Sequence, residues 1–396
     1  MKKYGIVPEK GTVIKMKTRH WLLRAVFVAA TVVFAVFFAS HGASAEDELD
    51  GIGDFYDAIP DEVAELLPED FFTFEPSGLA AAVHEAAGGK NLLDAALAAL
   101  GGGIGASVRL FATLCGVALA AAVLGSVRDL AAPRGLGGAI TLIINTAAAV
   151  AAVGTQYASF EAISAYFERQ RLIMSALLPL MGVLYAMGGN SGGAALNNST
   201  VLLWLELIGL FTTAVLMPAV SVMTALAVAG AFLPGVRTSG LSKFIGKSVG
   251  TILGLAAVLL GTALGAQSVL TASGDRLGFR TAKFVAGSMI PVVGSTVGDS
   301  LRTLAASVSM LRSTVGTAGI VVLVLLLLPT LVSLMLSRFA FLASAGVADM
   351  LGVGTAGQLY REMSSVYGLL TAAAALSALI FVFALTVFAL TSAAVA

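Results

Sequence analysis

Arg109 and Glu206 are ionisable side chains set inside long apolar runs, where an unpaired charge is costly, so each marks a place where this sequence could do chemistry. They could pair as a structural lock, line a polar path, or extend their stems toward a membrane surface. A second constellation is a repeated motif: FERQRLIMSALLPLMG, from Phe167 to Gly182, and FRTAKFVAGSMIPVVG, from Phe279 to Gly294. Phe167, Arg171, Pro179 and Gly182 correspond in spacing to Phe279, Lys283, Pro291 and Gly294. Gly154, Gln156 and Pro218 extend the match to Gly265, Gln267 and Pro329, at an offset that stays between 111 and 112 residues. The pattern reads as a duplicated unit of span, Pro-broken short segment and span, with a site between the units. Interrupted helices of this kind place irregular backbone against an internal cavity. Pro and Gly also recur in membrane helices simply because neighbouring helices tolerate them.

Other chemistries find no residues to carry them. Cys115 is the single cysteine and sits in an apolar run as a small hydrophobe; the histidines are His20, His41 and His84. No disulfide or protein-only zinc site can be built within one chain from that set, so no metal or cofactor is expected. GGGIG at Gly101 to Gly105 lacks the Gly-Lys-Ser/Thr of a nucleotide-binding loop, and GGNSGG at Gly188 to Gly193 lies between apolar segments as a turn. There is no His-Glu-x-x-His helix, and His84 has no plausible triad within the membrane body. Asp299 offers at best one of the two intramembrane aspartates an aspartyl protease would need. Asn198-Ser199-Thr200 fits a glycosylation sequon without further support, and the scattered basic residues form no nucleic-acid face. The expectation is a protein that is not an enzyme.

The elements that must position these residues are membrane helices. The chain is 58% hydrophobic and 12% charged, against roughly a quarter charged in soluble domains. Spans are expected at Gly103 to Val127, Gly137 to Tyr157, Thr200 to Pro218 continuing toward Leu233, Ser248 to Leu270, Val315 to Leu336 and Val366 to Thr391. Leu172 to Met187 and Phe284 to Val297 are marginal in length, and could be re-entrant or interfacial. The fold class is therefore an all-α polytopic integral membrane protein, a helical bundle with an internal duplication containing Pro-broken short or re-entrant helices. The repeat units fall at about 137–235 and 248–338 within a membrane domain of 101–396. Abundant Gly, Ala, Ser and Thr favour close helix approach, and hence a tight bundle or homo-oligomer.

Ahead of the membrane domain, residues 1–45 read as a cleavable signal peptide: a basic leader, the apolar run Ala25 to Ala39, and Ala43-Ser44-Ala45 before Glu46. Met16 offers a more compact start. Residues 46–100 form an acidic extracytoplasmic segment, with thirteen carboxylates and no Lys or Arg between Glu46 and Glu85. Phe55, Tyr56, Ile59, Val63, Leu66, Leu67, Phe71, Phe72 and Phe74 intersperse them, suggesting short amphipathic helices broken at Pro60, Pro68 and Pro76. This segment is either a docking arm for a partner or a solvated, partly disordered linker. A cleaved signal leaves the new N-terminus outside and puts Arg128 and Arg134 in the cytoplasm, with Arg237, Lys243, Lys247 and Arg338 on the same side if the two marginal segments do not cross. The opposing set of Arg169, Arg171, Arg276, Arg280, Lys283, Arg302 and Arg312 is as large, so orientation rests on the signal.

RTAKFVAGSMIPVVGSTVGDSL, Arg280 to Leu301, resembles the family of stage III sporulation protein AE, and the likeness extends to the signal peptide, the acidic stretch, SAYFERQRLIMSALLPLMG and the final apolar spans. The Ala- and Val-rich body and the long basic leader depart from that family. The resemblance implies a multi-pass protein of the mother-cell membrane facing the forespore. It implies a subunit of a channel or secretion-like complex with other membrane subunits, an ATPase-like partner and forespore-side proteins, supporting late forespore development. On this reading Arg280, Lys283, Pro291, Gly294 and Asp299, with Arg171, Pro179 and Gly182, shape a pore or subunit contact. A stand-alone secondary transporter using the repeat interface and a structural scaffold for other channel proteins are the alternatives.

Overall fold

The computed structural model describes residues 51–72, 76–131, 136–187, 191–233, 238–259, 261–262 and 294–391, all of them helix, turn or short connection with no strand among them. The signal-like stretch, Arg280, Lys283 and Pro291 lie outside the described residues, as does most of the second repeat unit's short segment. Gly294 begins a helix that includes Asp299.

Four short elements come first: α1 (Gly51–Asp57), α2 (Asp61–Ala64), a 3₁₀ turn (Glu69–Phe72) and α3 (Pro76–Ala86). Pro60 is the N-cap of α2, with extended φ and ψ that stop α1 from running on. Phe55, Ile59, Val63, Leu67 and Phe71 are all buried, while Asp54, Asp57, Asp61, Glu62, Glu65 and Glu69 are exposed. The segment is thus a folded amphipathic cap whose apolar stripe turns inward and whose carboxylates turn out. Tyr56 Oη donates to the Phe71 carbonyl at 3.0 Å and closes the cap on itself. The cap rests on the long helices behind it, and Arg169 meets Glu62 at 3.2 Å across that contact.

The body comprises α4 (Gly89–Ala131), α5 (Leu136–Met187), α6 (Ser191–Phe211), a π turn (Thr212–Leu216), α7 (Met217–Phe232), α8 (Thr238–Leu259), α9 (Gly294–Met350) and α10 (Gly354–Thr391). Six helical stretches are long and apolar enough to cross a membrane. Leu172 to Met187 is not a separate short segment, however: it is the C-terminal part of α5, an unbroken helix of 52 residues. At a rise of 1.5 Å per residue α5 is about 78 Å long, more than twice the ~30 Å hydrocarbon core. The charged turns between its two apolar runs do not break it, because Glu161, Glu168 and Arg171 point outward while Ile163, Tyr166, Phe167 and Gln170 point in. Pro179 continues the helix and forgoes one backbone hydrogen bond.

Hydrogen bonds along α5 fix its neighbours. Tyr367 to Ser159 (2.9 Å), Tyr166 to the Ala374 carbonyl (3.2 Å) and Ser377 to Gln170 (2.9 Å) run α5 parallel to α10. Gln156 donates to Thr224 at 2.8 Å, and Asn145 donates to the Ala231 carbonyl while accepting from Thr355 at 3.1 Å. These contacts set α7 antiparallel to α5, and they spend buried polar side chains on helix ends and facing hydroxyls. α9 and α10 form an antiparallel hairpin turned at Gly352, whose φ of 76° a side chain would disfavour. There Val353 N–H reaches the Ala348 carbonyl at 2.9 Å and Gly352 N–H reaches Asp349 at 3.1 Å, the paired bonds of a Schellman cap. Along this hairpin a Cβ at Gly316 would fall 2.8 Å from Ala389 Cβ, and one at Gly319 2.9 Å from both Leu177 and Leu385. Small residues are therefore what lets α9, α10 and α5 close on one another.

Candidate functional site

A cleft of about 600 Å³ lies at mid-length of α5, where that helix faces α6, the π turn and α10. Its polar wall is Ser164, Glu168, Gln170 and Arg171 from α5, with Glu206 from α6 and Thr212 and Thr213 from the π turn. Its apolar wall is Phe167, Leu205, Ile208, Leu210, Met217 and Phe381, with Gly209 between them. Pro218 explains why the turn opens here. A proline ring would strike the carbonyl four residues back in a regular helix, and the extra residue of a π turn relieves that clash. Met217 N–H accordingly bonds the Thr212 carbonyl, and the Thr212 and Thr213 hydroxyls donate to the Ile208 and Gly209 carbonyls at 2.8 and 3.0 Å.

Beneath the cleft Gln170 is buried and anchored on both sides of its amide: it donates to Tyr166 Oη at 3.3 Å and accepts from Ser377. It forms the rigid floor. Arg171 and Glu168, one helical turn apart, approach to 3.9 Å, while Glu206 stands on the opposite wall. Three charges and three hydroxyls thus converge on one recess.

The structure does not bring Arg109 to Glu206. Arg109 is exposed on α4, and the ion pairs among the described residues include Arg169–Glu62, Arg171–Glu168 and Arg361–Asp349. Glu206 lines the cleft instead, on the wall across from Arg171. Pro179 is exposed on the same stripe of α5 as Arg171 and Ser175. Gly182 serves a helix contact, since a Cβ there would fall 2.6 Å from Asn198 Nδ2 of α6. Asn198 Oδ1 is buried without a hydrogen-bond partner in that contact.

Arg312 was visible in the sequence only as one more basic residue. It is 3% exposed, and its Nε donates to the Leu184 carbonyl at 2.8 Å and an Nη to Tyr185 at 3.3 Å. Its guanidinium also stacks 4.9 Å from the Tyr185 ring centroid. These carbonyls belong to the last turn of α5, which has no intrahelical donors, so a buried cation completes it. Backbone partners leave no mark in a sequence, which is why this role was unreadable there. Among the described residues no group of three His, Cys, Asp or Glu side chains is placed to hold a metal ion.

Comparison with known proteins fits this architecture. The family model of stage III sporulation protein AE matches residues 84–392, a stretch that takes in all six long apolar helices. Stage III sporulation protein AE of Bacillus subtilis (strain 168) is 27% identical over 215 residues, covering 54% of this chain and 53% of that protein. The chain therefore aligns with about half the length of this curated relative. No solved structure matches. With a family match across more than half its length and six helices able to span a bilayer, the chain belongs to the stage III sporulation protein AE family, a multi-pass membrane protein of sporulation.

Proposed function

We propose that this chain is a non-catalytic membrane subunit of a channel or secretion-like complex between mother cell and forespore, needed for late forespore development. The family match over residues 84–392 carries this reading, because it covers the whole helical body and not a single motif. The sequence has no nucleotide-binding loop of its own, so an ATPase-like partner supplies energy, and other membrane subunits and forespore-side proteins complete the conduit. The outward stripe of α5 that carries Arg171, Ser175 and Pro179 is a subunit contact. Arg280, Lys283, Pro291, Gly294 and Asp299 serve the second unit in the same way, and the chain sits in the mother-cell membrane facing the forespore.

Deleting the gene in its own host tests this directly. Cells are expected to complete engulfment, lose expression of a late forespore reporter and form no heat-resistant spores, with recovery on re-expression of the wild-type chain. Normal spore yield in the deletion strain would overturn the proposal. So would purified protein that alone moves a small solute across liposomes, which is the behaviour of a self-sufficient transporter.

A further inference from the structure

We infer that the cleft beside the π turn is a phospholipid site, selective for a headgroup that carries both a primary ammonium and a phosphate. The charge balance comes first. Glu168 and Arg171, both exposed and 3.9 Å apart, form only a loose pair that leaves the Arg171 fork open to another acceptor, and the Glu206 carboxylate stands on the facing wall. A carboxylate facing a guanidinium across one recess complements a zwitterion. The ammonium donates to Glu206, and the phosphate takes the planar fork of Arg171, with the Ser164 hydroxyl as a further donor.

Depth and surroundings select a lipid over a soluble zwitterion. The cleft lies at the charged turns that divide α5 into two apolar runs, Gly137 to Tyr157 and Leu172 to Met187. A helix of about 78 Å cannot be immersed along its whole length in a ~30 Å core, so its charged middle sits at a headgroup layer. Apolar side chains face outward here: Leu210 of the lining is 62% exposed, and Leu172 and Leu207, next in sequence to the lining residues Arg171 and Glu206, are 49% and 40% exposed. Acyl chains therefore have a surface to lie on immediately beyond the polar pocket. A volume of about 600 Å³ falls within the ~300–1,000 Å³ range of small-molecule sites, enough for a headgroup and its glycerol.

Native mass spectrometry of the detergent-purified full chain, loaded separately with dioleoyl phosphatidylethanolamine, phosphatidylcholine or phosphatidylglycerol, tests the site. Phosphatidylethanolamine is expected to be retained best, because the choline headgroup has no N–H to donate and the glycerol headgroup has no cation. Glu206→Gln should weaken phosphatidylethanolamine by about tenfold, the loss of one charge-assisted hydrogen bond, and Arg171→Gln should weaken all three lipids. Gly209→Phe gives a variant independent of charge: nothing lies within 4 Å of a Cβ at Gly209, so the ring fills the cleft without striking backbone and should expel the lipid. Equal retention of phosphatidylglycerol and phosphatidylethanolamine by the wild-type chain, or full retention by Gly209→Phe, would overturn the inference. Displacement by soluble phosphoethanolamine at the same concentration as the lipid would also overturn it, since the chains would then contribute nothing.

Discussion

Arg312 determines how firmly the last turn of α5 is held. Its guanidinium donates to the Leu184 and Tyr185 carbonyls in the buried last turn of α5, so removing it takes one donor from each. Arg312→Gln is expected to destabilise the protein by about 2–4 kcal/mol, read as a lower midpoint of thermal unfolding in detergent. Arg312→Lys keeps the charge but loses the fork and should recover only part of the loss. An unchanged midpoint in Arg312→Gln would remove this role. The sequence makes Glu206 conspicuous as a carboxylate in an apolar run and leaves open whether it pairs with Arg109, lines a polar path or extends toward a membrane surface. The folded chain sets Glu206 across one cleft from Arg171, through the packing of α5 against α6. Asn145 was as hidden as Arg312, because both of its partners come from helices far away in sequence.

Among the elements, the cap made by α1, α2, the 3₁₀ turn and α3 is where the sequence left the widest choice. Its carboxylates suggested a solvated linker as readily as an arm, and the buried row of Phe55, Ile59, Val63, Leu67 and Phe71 shows why it folds. Repeated four-residue spacing places one side chain per turn against the body. Burial raises the Tyr56 hydroxyl above its ordinary value of 10.0, and its protonated form makes the bond to Phe71. A raised pKa in the folded state means that this stability is complete below the unfolded value and is lost as pH climbs through the folded one. The cap should therefore loosen above about pH 10, seen as protease cleavage within residues 51–86. Tyr56→Phe should cost about 1 kcal/mol at neutral pH and abolish the alkaline step; an alkaline step that survives in this variant would assign the titration to another group. The charged turns of α5 misled in the opposite direction. Glu161, Glu168, Arg169 and Arg171 looked like an interruption between two spans, yet their outward spacing is what a continuous helix with a polar face requires.

Across the whole molecule, the six apolar stretches were legible from composition and run length, because the bilayer imposes a minimum length that few other constraints produce. Helix continuity was not, since a solvent boundary and a helix boundary look alike in sequence. The two can be separated by labelling. In a Cys115→Ala background, Glu161→Cys and Glu168→Cys should react quickly with a membrane-impermeant maleimide. Val150→Cys should stay protected, although Val150 is 67% exposed in the protein itself, because lipid covers it. Equal reactivity at all three positions would mean that the Gly137 to Tyr157 run is not in the bilayer. The unbroken course of α5 also has a mechanical consequence. Held by hydrogen bonds at Asn145, Gln156, Ser159, Tyr166 and Gln170 and clasped by Arg312 at one end, it transmits displacement as a stiff beam rather than absorbing it at a joint. Over about 78 Å, a tilt of roughly 5° at the Met187 end swings the Leu136 end by about 7 Å, so a small push at one face of the molecule is delivered as a large stroke at the other.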